Sequence, residues 1–290
     1  MTELIALENG HIACDVIGEG PLVVLSHGMG TLRQDYRDVA PRLAGAGYRV
    51  VNTDMRGHGE SSMSWPSVVG GPAISRTDVA NDLLDVIRHF GGPAVIVGHS
   101  LSGGAATIAA ATAPELVSGI VEINPFTLRQ SLNASALVTV GRYRRGMVRI
   151  ATTMSLHSYR AWRSYLNVAY PIKPDDFEQY LEQVFTSLHQ PGRMAEFMKT
   201  GATTPADAHD QLANVQCPAL IIMGAAEPDF VDPRAEGEAI VATMPAGLGR
   251  VVMVEHGGHY PHSQFGAQVA DLIVPFLAEH ARHVQPRQVG

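Results

Sequence analysis

The stretch VIVGHSLSGG, residues 95–104, runs an apolar segment into a serine flanked by small residues. It nearly spells Gly-x-Ser-x-Gly, with Ser102 standing where the second glycine would be. A tight strand-to-helix turn of this kind holds its serine in a strained conformation that projects Oγ clear of the backbone. The helix that follows adds positive potential and free N–H groups. A serine in such a place can simply cap that helix; the apolar strand before it favours a nucleophile. A serine nucleophile needs a base, ordinarily a histidine oriented by a carboxylate. His259 lies in the Gly-rich loop GGHYPH after the last apolar run.

The spacing of His256, His259 and His262 also fits metal ligands. Three ligands on one flexible loop need fixed outer partners that this stretch lacks, so no metal is expected. His262 then reads as a structural or surface residue at a helix start. For the orienting acid, GAAEPD (224–229) offers Glu227, preferred, and Asp229 as the alternative. Either can instead cap the next helix. Asn124, at an earlier strand end, cannot compensate an imidazolium. The backbone amides of Leu101 and Met29 are the expected oxyanion donors, with Gly28 and Gly30 letting their loop fold closely. His27 reads as structural. Gly28, His99 and Trp162 are the candidate substrate contacts.

These groups work only if the chain brings them to one place. Apolar, β-branched runs at His11–Ile17, Pro21–Ser26, Arg49–Asp54, Ala94–Val97, Gly119–Ile123, Ala219–Gly224 and Arg250–Val254 predict strands. Helical spacing is read over Asp35–Ala46, Thr77–Phe90 (capped by Thr77 or Asp78), Leu101–Ala113, Pro233–Thr243 and Ser263–His280. Apolar strands alternating with helices predict an α/β fold: a mostly parallel central sheet covered on both faces. Ligands of such sheets bind beyond the strands' carboxyl ends, where HGMG (27–30), DMRGHGES (54–61), GHSLSGG, GAAEPD and GGHYPH all fall. The alternation lapses over 127–206, which reads as a helical cap inserted between two parts of the core, 1–126 and 207–290. The tail after Arg282 reads as frayed.

The remaining features exclude more than they assign. The 290 residues suffice for a large core, and 46% hydrophobic against 17% charged residues suits a soluble globular chain. A net charge of −7 gives no basic surface for nucleic acid. Cys14 and Cys217 suit reduced thiols. With no leader and no membrane-length apolar run, a cytoplasmic protein is expected, without a membrane partner. The sequence carries no signal for oligomeric state.

Taken together, SHGMG, DMRGHGESS, VGHSLSGG, GAAEPDF and GGHYPH make the chain resemble the α/β-hydrolase family over about 4–126 and 207–281, in the order Ser100, Glu227, His259. Two positions depart: Ser102 for the elbow glycine, and Glu227 where the family usually has Asp. The resemblance implies a cofactor-free serine hydrolase acting on a carboxylic ester, lactone or thioester of a small to medium, partly apolar molecule. Serine at the elbow separates the chain from haloalkane dehalogenases and epoxide hydrolases, which use aspartate there. C–C hydrolysis, lyase or perhydrolase chemistry on the same triad is the alternative, and a ligand receptor with vestigial catalysis the alternative from another class.

Arg142, Arg145 and Arg149 share a helix face in the insertion. They read either as a solvated or ion-paired surface or as a clamp for an anionic substrate group. Kinetics of Arg145→Ala on neutral and anionic esters decides between them. A clamp predicts a selective loss on the anionic ester, and equal effects on both would sink it.

Overall fold

The computed structural model describes residues 2–281, so the tail read as frayed lies outside the described residues. Eight strands form one sheet: β1 (Thr2–Leu7), β2 (Gly10–Ile17), β3 (Leu22–Ser26), β4 (Arg49–Thr53), β5 (Ala94–His99), β6 (Val117–Ile123), β7 (Ala219–Gly224) and β8 (Gly249–Val254). Their order is β1-β2-β4-β3-β5-β6-β7-β8. The β1–β2 and β2–β4 pairs are antiparallel and the remaining neighbours parallel. The expected α/β class and mostly parallel sheet are therefore present.

The helices are α1 (Val39–Gly45), α2 (Arg76–Phe90), α3 (Leu101–Thr112), α4 (Ala134–Thr139), α5 (Gly141–Leu156), α6 (Tyr159–Ala169), α7 (Phe177–Leu188), α8 (Arg193–Thr200), α9 (Ala206–His209), α10 (Pro233–Thr243), α11 (Pro261–Gln264) and α12 (Gly266–His280). Alternate strand residues feed opposite faces. Leu22, Val24, Ala94 and Ile96 join α2, α3 and α10 in one core. Val23, Leu25, Val95 and Val97 join α1 and α12 in the other. Burying such side chains stabilises the fold by about 1.5–3 kcal/mol each. Cys14 and Cys217 are buried and unpaired. Helices α6–α8, between β6 and β7, share a third cluster built on Trp162, Tyr165, Tyr170 and Phe197, which also takes in Leu32 and Tyr260 from the sheet side. No helix of the described residues is long and apolar enough to cross a membrane.

Three expected helices differ in detail. Asp35–Ala46 divides into a 3-10 turn, Arg33–Tyr36, and the short α1. Pro41 accounts for the break, because its ring clashes with the carbonyl four residues back in any helix running through 37. Helix α2 is capped by Ser75, not by Thr77 or Asp78. Ser75 Oγ accepts from Asp78 N–H while the Asp78 carboxylate accepts from Ser75 N–H, a reciprocal capping box. The last helix breaks at Phe265 (φ −133°). Gly266 there packs so closely on Asp38 that a Cβ would lie 2.4 Å from the Asp38 Cβ.

The DMRGHGES segment is held by a buried charge. Asp54 is fully buried, and its carboxylate accepts from the amides of Arg33 (2.9 Å) and Glu60 (3.0 Å) and from the Arg33 guanidinium. The same guanidinium reaches Asp15 at 2.8 Å and also Glu60. Gly59, at φ +51°, admits no side chain: its Cβ would lie 2.1 Å from Asp54 Oδ2. Arg33→Ala leaves the Asp54 charge buried and uncompensated, so it should cost about 3–5 kcal/mol in chemical denaturation. Arg33→Ala/Asp54→Ala should lose much less than the sum of the single changes.

Candidate active site

Strand β5 delivers the serine. Ser100 sits between β5 and α3 at φ 54°, ψ −116°, a conformation rare for a residue with a side chain. Three backbone hydrogen bonds hold it: Ser100 N–H to Ile123 O (2.9 Å), Phe126 N–H to Ser100 O (3.1 Å) and Gly103 N–H to Ser100 O (3.0 Å). Gly98 must lack a side chain, since its Cβ would sit 2.2 Å from Ser102 O. Ser100 is 3% exposed, and among the described residues its Oγ makes no hydrogen bond. Serine–histidine contacts are often long in unliganded sites and tighten with substrate.

The histidine loop follows β8. His259 Nδ1–H donates to Glu227 Oε2 at 2.7 Å, leaving Nε2 as the free lone pair. Asp229 Oδ2 lies farther off, at 3.7 Å from the same Nδ1. Glu227 therefore engages His259 directly, and Asp229 N–H in turn donates to Glu227 Oε1 at 2.9 Å. Asp229 Oδ2 accepts from Tyr165 OH at 2.6 Å. Burial and the neighbouring Glu227 push the Asp229 carboxyl up to about 7. Burial opposes the imidazolium of His259, but the Glu227 and Asp229 charges outweigh it and raise its pKa above the ordinary histidine value.

The loop's backbone is fixed as firmly as its side chain. His259 N–H donates to Ala169 O at 2.9 Å. His259 O accepts from His99 Nε2–H (2.8 Å) and from Asn124 Nδ2 (3.0 Å). Asn124, at φ 40°, also reaches Gly258 O at 2.8 Å and accepts from Gly224 N–H at 2.8 Å. It thus ties the strand carrying the acid to the loop carrying the histidine.

Several polar groups of the HGMG loop are engaged. His27 Nε2 accepts from Met55 N–H (3.0 Å), and His27 Nδ1–H donates to Gly28 O (2.6 Å). Gly30 N–H donates to His58 Nε2 (3.1 Å), and Gly30 O accepts from Trp162 Nε1 (3.1 Å). Burial pushes His27 down to about 4 and His58 to about 3, so both rings are neutral acceptors at neutral pH. Among the described residues, neither Met29 N–H nor Leu101 N–H has an acceptor. Gly28 lies against the serine: its Cβ would meet Ser100 Cβ at 2.9 Å.

Several side chains stand elsewhere than the sequence suggested. His99 and Trp162, candidate substrate contacts, are fully buried and engaged by His259 O and Gly30 O. His262 is no surface residue: it is fully buried, its ring 4.6 Å from that of His99. His256, by contrast, is exposed. Asp35, His99 and His262 bring ligand atoms within 4.8 Å of one another, as do Glu227, Asp229 and His259. In the second group the 2.7 Å Nδ1–Oε2 contact is a hydrogen bond that a shared metal would have to break. Arg142 donates to Phe230 O (2.7 Å) and Val231 O (3.1 Å), and Arg149 to Ser164 Oγ (2.8 Å), which leaves Arg145 exposed. Sequence reasoning missed Asn124 as a tether and Tyr165 as a partner of Asp229. A polar residue at a strand's carboxyl end was the only signal for the first. Nothing in the sequence pointed to the second.

Comparison with known proteins agrees with this fold. The model of the alpha/beta hydrolase family matches residues 23–272. Epoxide hydrolase B of Mycobacterium tuberculosis is 37% identical over 113 residues, 38% of this chain and 31% of that protein. The chain therefore spans about a third of the length of that curated relative. The pimeloyl-[acyl-carrier protein] methyl ester esterase of Chromobacterium violaceum is 27% identical over 280 residues, covering 92% of this chain and 96% of that one. Among solved structures, a thermophilic esterase from Thermogutta terrifontis superimposes with a TM-score of 0.70 at 22% identity, over 97% of this chain and 100% of that one. The chain belongs to the alpha/beta hydrolase family.

Proposed function

We propose that the chain is a serine hydrolase cleaving a carboxylic ester, or a lactone or thioester, through an acyl-serine intermediate. The observation that carries this reading is the strained Ser100 on the same sheet edge as a His259–Glu227 pair whose Nε2 is free. His259 takes the Ser100 proton as Oγ attacks the acyl carbonyl. The Met29 and Leu101 amides receive the developing oxyanion. His259 then protonates the leaving alcohol, and water, activated by the same ring, releases the acid. Glu227 holds the tautomer and compensates the imidazolium. Asp229, farther from Nδ1, supports Glu227 instead of replacing it. Serine at the elbow favours acyl transfer over the aspartate chemistry of epoxide hydrolases, whatever the similarity to one of them.

Residues 127–206 serve in this reading as a cap over the strand ends, and the substrate lies between cap and core, a small to medium, partly apolar molecule. Trp162 and His99 support the site from behind. No cofactor is required by any step.

Ser100→Ala should abolish turnover of short aryl esters, and a fluorophosphonate probe should label Ser100 alone; retained turnover or an unlabelled Ser100 sinks the assignment. Glu227→Gln should lower kcat by at least ~100-fold, with Asp229→Asn costing less; the reverse ranking would hand the acid's role to Asp229. In an NMR titration, Glu227→Gln should also lower the His259 pKa, because burial is then no longer opposed by its hydrogen-bonded carboxylate.

A further inference from the structure

The HGMG loop and the elbow meet through one hydroxyl. Ser102, in the first turn of α3, is fully buried, and its Oγ–H donates to His27 O at 2.6 Å. With that proton committed, Ser26 Oγ–H donates to Ser102 Oγ at 2.9 Å. The glycine of the Gly-x-Ser-x-Gly pattern has no atom with which to make either bond.

The geometry of consecutive peptides gives this bond a consequence. His27 O belongs to the His27–Gly28 peptide, which the Ser102 hydroxyl holds. Gly28 O belongs to the next peptide, held by His27 Nδ1–H at 2.6 Å and Thr31 Oγ1 at 3.3 Å. A trans peptide points its C=O and N–H in opposite directions. Pinning Gly28 O therefore aims Met29 N–H the other way, and pinning His27 O fixes the plane from which that peptide starts. Two successive planes are thus clamped, and the amide they aim is one without an acceptor among the described residues. Gly28, between them, has no side chain to limit rotation.

We propose that Ser102 is a positioning residue for the oxyanion donor: its hydroxyl, bonded to His27 O, orients the HGMG loop so that Met29 N–H faces the carbonyl that Ser100 attacks. Ser102 touches no reacting atom; it acts through two peptide planes. Preorganised donors matter because they need no rearrangement as charge develops. The inference rests on the serine-hydrolase reading for its catalytic consequence, but not for the clamp itself.

The test compares Ser102→Ala, Ser102→Gly and Ser102→Thr with the unchanged protein. Activity is measured on a short aryl ester, and inhibition with an alkyl trifluoromethyl ketone, whose serine adduct places an oxyanion in the same hole. The clamp predicts that Ala and Gly lower kcat by about 10- to 100-fold, less than or comparable to deletion of an oxyanion donor. Affinity for the ketone should fall in parallel, KM should stay within about twofold, and Thr, which keeps the hydroxyl, should recover much of the loss. Wild-type kcat and ketone affinity in both Ala and Gly overturn the proposal, as does a change in KM alone. If Thr does not fold, as judged by its thermal transition, Ala and Gly still decide. Amide exchange and 15N relaxation of Met29 in Ser102→Ala give a readout free of turnover: a more mobile Met29 supports the clamp and an unchanged one overturns it. Full turnover in Ser100→Ala would sink the hydrolase reading separately, and the Met29 measurement would still judge the clamp.

Discussion

A serine held at φ 54° is the constraint around which the rest of the molecule is arranged. Such a conformation costs of order 1–3 kcal/mol and persists only where its surroundings over-determine it. Here they do so from both sides. Ile123 at the end of β6 takes the Ser100 amide, and Phe126 and Gly103 donate to its carbonyl. The close approach this requires explains the small residues of α3, where Ala105, Ala106, Ala109 and Ala110 are buried to the last atom. Larger side chains there would lift the helix off the sheet and release the turn.

The second organising fact is a chain of hydrogen bonds linking the loops at the sheet edge, although Asp35 Oδ2, His99 Nδ1, Asp229 Oδ1 and both ring nitrogens of His262 are buried there without a partner among the described residues. Asp54 gathers two amides and a guanidinium. The loop it shapes places His58 where it accepts from Gly30, and Met55 where its amide reaches His27. Satisfaction of one loop thus fixes the next. The amides of Met29 and Leu101, beside the strained serine, have no acceptor among the described residues.

Much of this was legible in the sequence, for reasons that can be named. Strands buried on both faces read as unbroken apolar runs, so β3, β5 and β7 fall where hydropathy puts them. The alternation of strand and helix gave the sheet, and its carboxyl edge gathered the motifs. Glu227 ahead of Asp229 followed from its place at the end of β7, and it is Glu227 Oε2 that lies 2.7 Å from His259 Nδ1. What the sequence hid depends on contacts across long separations. The capping role of Ser75 needed the Asp78 side chain to turn back. The burial of His262 needed the 3-10 turn around Asp35 and the ring of Tyr36 to close over it, 4.6 Å away. Ser102 looked like a small substitution for glycine because its volume was legible and its hydrogen-bond partner, 75 residues away, was not.

Helix α6 touches both halves of the site. Trp162 Nε1 donates to Gly30 O in the HGMG loop, and Tyr165 OH, three residues on, donates to Asp229 beside Glu227. Residues three apart lie on one helical face, so a rigid helix cannot withdraw one without the other. Displacement of α6 would strip support from the HGMG loop and from the Asp229–Glu227 segment together. Seating of this helix and assembly of the site are therefore thermodynamically linked: whatever stabilises one stabilises the other by the same free energy.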